Sequence, residues 1–137
     1  MRRFFRFALL GYSWLFLTAI VVQVYFAGLM LFGQEGGEGL HETTGYILGT
    51  AGALFLLLPA LARAGVSAIV VGVVLALIAF FQPNLTFARD DSPFIAALHP
   101  VNALLIVGLS VWMVRRAALL VRGERAGAGG TPGSATA

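Results

Sequence analysis

Residues 7–32 read FALLGYSWLFLTAIVVQVYFAGLMLF, with no charged side chain from end to end. A helix needs about 20 mostly apolar residues to cross ~30 Å of hydrocarbon, and this run is long enough. Gln-Glu-Gly-Gly-Glu-Gly at 34–39 ends it. Three more runs follow, at about 43–62, 64–82 and 93–114, the third built on Val66 to Phe81 and the last opened by Ser92-Pro93 as N-cap and first helical residue. Arg2, Arg3 and Arg6 precede the first run as they would a signal peptide, but its apolar core exceeds the 7–15 residues usual for one, and no convincing cleavage site follows. The expected fold is all-α: a four-transmembrane-helix up-down bundle over 1–122, followed by a disordered tail at 123–137 of Gly, Ala, Ser, Thr and Pro.

The composition agrees. Of 137 residues, 59% are hydrophobic and 11% charged, against roughly 25% charged in soluble domains. With no cysteine, a disulfide scaffold, a thiolate zinc site, an iron–sulfur cluster and covalently attached haem are all excluded. The excess of nine basic over six acidic residues is too small to mark a nucleic-acid binder. Its distribution is informative. Arg2, Arg3, Arg6, Arg63, Arg115, Arg116, Arg122 and Arg125 flank one set of span ends; Glu35, Glu38, Glu42, Asp90 and Asp91, with only Arg89, flank the other. The positive-inside rule therefore predicts both termini in the cytoplasm, in a multi-pass protein of the cell inner (plasma) membrane.

Inside the spans the polar residues are few: Ser13, Thr18, Gln23, Thr43, Thr44, Thr50, Ser67, His99, Asn102 and Ser110. No Asp, Glu, Lys or Arg lies in a span interior, which argues against a proton relay or a charge-coupled transporter. Lone Ser and Thr are read as bonded to their own helices. His41 and His99, the only histidines, enter from the same side. Two such imidazoles, one from each of two facing helices, suit non-covalent haem iron, with copper or zinc as further possibilities. Gly45, Gly49 and Gly52 continue the His41 face as a small-residue stripe, which is equally a packing surface for another helix. Gln23, Ala27 and Gly28 are candidates to complete the pocket; Glu38, Glu42, Arg89 and Asn102 are candidates to orient an imidazole or meet a propionate. One difficulty is depth. His41 to Arg63 is 22 residues, about 33 Å of helix; His99 to Arg115 is 16, about 24 Å. Each pair of spans contains one Gln and one His, too little to establish an internal repeat.

The order Gln23-Val-Tyr-Phe-Ala-Gly28, acidic Gly-rich loop, His41, Gln82, and then Leu98-His99-Pro100-Val-Asn-Ala103 resembles one four-helix half of haem A synthase. It is also similar to small four-span bacterial membrane proteins of uncharacterised function that share the LHP-x-N-A element. The resemblance covers roughly residues 10–116. It implies that His41 and His99 are axial ligands of a b-type haem near the outer face, with Gln23 and Gln82 as span-terminal pocket or packing residues. The chain departs from that family in having only one half and no loop cysteines.

The functional expectation is a membrane haem-binding protein for electron transfer, redox sensing or haem handling. Its binding set is His41 and His99 on the iron, with Gln23, Gly45, Gly49 and Asn102 around them. The alternatives are a cofactor-free four-span scaffold and, below it, a haem-modifying enzyme. No catalytic residues are assigned and the reading leans away from an enzyme, since no Gly-x-Ser-x-Gly, His-Glu-x-x-His or phosphate loop occurs. The partners expected are the lipid bilayer and either a second copy or a redox-partner membrane protein, with no nucleic acid.

Overall fold

The computed structural model describes residues 1–129. Those residues form four helical spans, each long and apolar enough to cross a membrane. Span 1 is one helix, α1 (Arg2–Leu31). Span 2 is composite: α2 (Gly37–Ala51), a 3₁₀ segment (Gly52–Leu56) and α3 (Leu58–Leu61). Span 3 is α4 (Val66–Phe81), extended by a 3₁₀ segment (Pro83–Arg89). Span 4 is α5 (Pro93–Ala96) and then α6 (Leu98–Gly129). Each span packs on the next, and α6 closes the ring against α1.

The interruptions have covalent causes. Pro59 has no N–H to give the Phe55 carbonyl one turn earlier, so span 2 leaves α geometry between Gly52 and Leu57. The freed carbonyl faces Gly72 of α4, where a Cβ would collide with it and come within 3.0 Å of Pro59 Cγ. Gly72 is thus the notch that seats the bent span. The Tyr12 hydroxyl donates to the Ala51 carbonyl, another acceptor in the distorted stretch. The fully buried Phe55 ring packs edge-on to Tyr12 and Phe16, with centroids 5.0 and 5.1 Å away. Between membrane helices such packing replaces the hydrophobic drive that lipid cannot supply, at about 0.5–1.5 kcal/mol per aromatic pair. Pro100 similarly withholds a donor from Ala96, and span 4 breaks at Ala97.

Two boundaries differ from those expected. Span 2 begins at Gly37 rather than near residue 43, so His41 lies inside the helix. The glycine-rich turn is tighter than its composition suggests: a Cβ on Gly37 would sit 2.7 Å from Met30 N, so only glycine lets the new helix start against the end of α1. At the other extreme, α6 runs through Gly123 to Gly129, into the stretch expected to be a disordered tail. Glu124 pairs with Arg6 at 2.6 Å and Arg2 at 3.4 Å, and the Arg125 guanidinium lies 5.8 Å from the Phe7 ring centre, so α1 supports the extra turns. Residues 130–137 of that expected tail lie outside the described residues.

Apart from the Tyr12–Ala51 bond, the long-range hydrogen bonds gather at two ends. At one, Arg6 donates to the Ala62 carbonyl (3.3 Å) and Arg116 donates twice to the Ala64 carbonyl (3.0 and 2.7 Å), clamping the turn between spans 2 and 3. The other end holds both histidines.

Candidate functional site

Gln23, near the end of α1, and His41, in the second turn of α2, face each other as the two helices pack. The Gln23 side-chain amide donates to the His41 carbonyl at 2.6 Å. His41 Nδ1 lies 3.3 Å from the Gln23 carbonyl and 3.1 Å from the Gln23 Nε2. Thr44, one turn on, turns its hydroxyl to Gln23 Oε1 and also reaches the Leu40 carbonyl at 2.6 Å.

Spans 3 and 4 repeat this arrangement. The Gln82 amide donates to the His99 carbonyl at 2.9 Å, and His99 Nδ1 lies 3.0 Å from the Gln82 carbonyl. Asn102, one turn on, donates to Gln82 Oε1 at 2.5 Å and to the Ile78 carbonyl at 2.9 Å. Sequence separations match as well: 18 residues from Gln23 to His41 and 17 from Gln82 to His99, with the third residue at +3 in each case. The chain is therefore built from two helix pairs, each ending in a Gln–His clasp. The single Gln and His noted in each pair of spans are the residues of these two clasps.

The two clasps bring the imidazoles together. Their ring centroids are 6.1 Å apart with an interplanar angle of 66°. The two rings meet although His41 stands more residues from Arg63 than His99 does from Arg115. A carbonyl can only accept, so His99 Nδ1 carries the proton it shares with Gln82, and Nε2 holds the free lone pair. Among the described residues neither Nε2 has a hydrogen-bond partner. Nδ1–H to a backbone carbonyl is the contact that fixes the tautomer and orientation of metal-ligating histidines.

A fit test follows from distances. Two imidazoles sharing one iron, with bonds of about 2 Å and roughly 1.1 Å more from nitrogen to ring centre, have centroids about 6 Å apart. The observed separation fits. Among the described residues no third His, Cys, Asp or Glu joins the pair. The donor set thus falls short of a four-ligand zinc or copper site, whereas haem brings four nitrogens of its own.

Gly45 makes room for the clasp, since a Cβ there would lie 3.1 Å from Gln23 Nε2. Gly49 and Gly52 pack against Ala79 of α4, with Cβ positions 3.0 Å from its carbonyl oxygen and its Cβ, so both serve contact between helices. Asn102 orients Gln82 and not an imidazole directly. Glu38 and Glu42 lie exposed, and Arg89 sits in an exposed pair with Asp90 at 3.8 Å. The orienting role expected of these charged residues belongs to the Gln23 and Gln82 backbones. Thr44, read from sequence as structural, is the residue that was missed; its signal is the shared +3 offset with Asn102. Comparison with protein-family models, curated proteins and solved structures gives no match for the chain.

Proposed function

We propose that this chain is an integral membrane protein that holds one b-type haem between His41 and His99. The observation that carries the reading is the centroid separation of 6.1 Å between two rings whose Nδ1 atoms both reach glutamine carbonyls. In this reading the bundle is up-down, the arginine-rich end and both termini are cytoplasmic, and the haem lies near the outer face of a bacterial-type inner membrane.

Bound haem supplies reversible one-electron chemistry at iron. The chain does the rest. His41 and His99 would hold the haem through Nε2. The Gln82 carbonyl, by accepting the Nδ1 proton, fixes the His99 ring and makes it a stronger donor. Gln23 does the same for His41. Because both histidines would be spent on holding the group, electron transfer, redox sensing or haem handling suits the site better than chemistry on a bound substrate. Of the glycine stripe on which the scaffold alternative rests, Gly49 and Gly52 are used within the chain.

The test is stoichiometric. The full chain, purified in mild detergent from haem-replete cells, is expected to carry one haem per chain, with a Soret peak and sharp reduced bands. A folded, colourless protein that takes up no haem on reconstitution would overturn the proposal.

A further inference from the structure

The end opposite the histidines carries a second feature that the haem reading does not use. A cavity of about 460 Å³ opens there, lined by Arg2, Arg3, Phe5, Leu61, Arg63 and Glu124 among others. Glu124 is committed to Arg2 and Arg6. Among the described residues neither Arg3, whose guanidinium carbon lies 5.8 Å from the Phe7 ring centre, nor Arg63 has a carboxylate partner, so the lining holds three arginines and one carboxylate that is already shared. The lining is otherwise apolar where Phe5 and Leu61 contribute.

Arg63 is held there against its backbone preference. It is the one described non-glycine residue with positive φ, at 51°, in the capping position after α3 where glycine is normally preferred. Arg6 and Arg116 clamp the carbonyls on either side of it, Ala62 and Ala64. Glycine would make this turn without strain; what arginine adds is a guanidinium on the cavity wall.

We infer that this cavity binds a phosphate oxyanion through Arg2, Arg3 and Arg63. Guanidiniums are suited to paired hydrogen bonds with phosphate oxygens, and an apolar shelf beside them accommodates the glycerol and first methylenes of a phospholipid. A basic pocket between helices at the membrane surface is a site for an anionic headgroup. Free phosphate offers the same oxygens, and the two sources are separable.

Native mass spectrometry of the full chain in detergent reads bound lipid directly, with phosphatidylglycerol and phosphatidylcholine as probes and inorganic phosphate as competitor. Phosphatidylglycerol is expected to be retained in preference to phosphatidylcholine, with retention falling about fivefold in Arg63→Gly and again in Arg3→Gln. Arg63→Gly suits the turn, so its thermal unfolding should be no lower than wild type while its lipid is lost. Insensitivity to millimolar phosphate identifies the lipid headgroup; displacement by phosphate identifies the free anion at the same site. Equal retention of the two lipids without any effect of phosphate would overturn the inference. So would an equal loss in Arg122→Gln, an exposed arginine outside the cavity lining, because binding would then be diffuse surface charge.

Discussion

Gln23–His41–Thr44 and Gln82–His99–Asn102 hold their rings by the same exchange of backbone and amide hydrogen bonds, but they close with different third residues. Asn102 has two N–H donors and spends one on Gln82 Oε1 and one on the Ile78 carbonyl. Thr44 has a single proton and two acceptors within reach, Gln23 Oε1 and the Leu40 carbonyl. His99 Nδ1 meets only a carbonyl, whereas His41 Nδ1 meets a carbonyl and an amide nitrogen. The second clasp is therefore the more fully determined. Two helix pairs with the same Gln–His clasp thus differ in how fully each ring is held.

The comparison presupposes that the two halves are pressed together, so the largest effect is expected where they touch. Gly72→Val should drive a side chain into the Phe55 carbonyl and Pro59, costing roughly 1–3 kcal/mol or more as overpacking does, and should lower the detergent melting temperature sharply. Gly108→Ala, where a Cβ meets nothing within 4 Å, is the matched control and should melt as wild type.

Next come the glutamines. Gln23→Leu and Gln82→Leu each remove the amide that caps a histidine carbonyl while keeping the backbone carbonyl, and each should weaken haem retention by about 3–20-fold, the worth of one membrane hydrogen bond. Dialysis against apomyoglobin measures this. Equal retention in wild type and both variants would refute the clasp as a positioning device.

The third prediction separates the halves. Asn102→Leu strands two acceptors and should cost more haem affinity than Thr44→Val, by about one factor of ten, since each membrane hydrogen bond contributes ~0.6–1.7 kcal/mol. The reverse order would contradict the assignment of the tighter clasp. The smallest effect should come from Thr44→Asn, which gives the first half the second half's donor pair and should slow haem loss by a fewfold or less.

Much of this was legible in the sequence, for physical reasons. Lipid demands long uninterrupted apolar helices, so FALLGYSWLFLTAIVVQVYFAGLMLF and its three counterparts announce four spans. Rarity exposed the histidines: in so apolar a chain the few polar side chains are the candidates. The sequence did not disclose that a glutamine backbone carbonyl lies within reach of each Nδ1, since every residue has a carbonyl and no composition reveals its place. Nor could Gly49 be assigned to packing before the position of Ala79 was known. The helical continuation past Gly123 rests on Glu124 reaching Arg2 and Arg6, over a hundred residues away, which local propensity does not register.

The central claim is that each half gives one ligand to the same iron. The direct measurement is the oxidised and reduced absorption spectrum of His41→Ala and His99→Ala beside wild type. Loss of the six-coordinate, low-spin spectrum in both single variants is the predicted result; a wild-type spectrum in either one would contradict it.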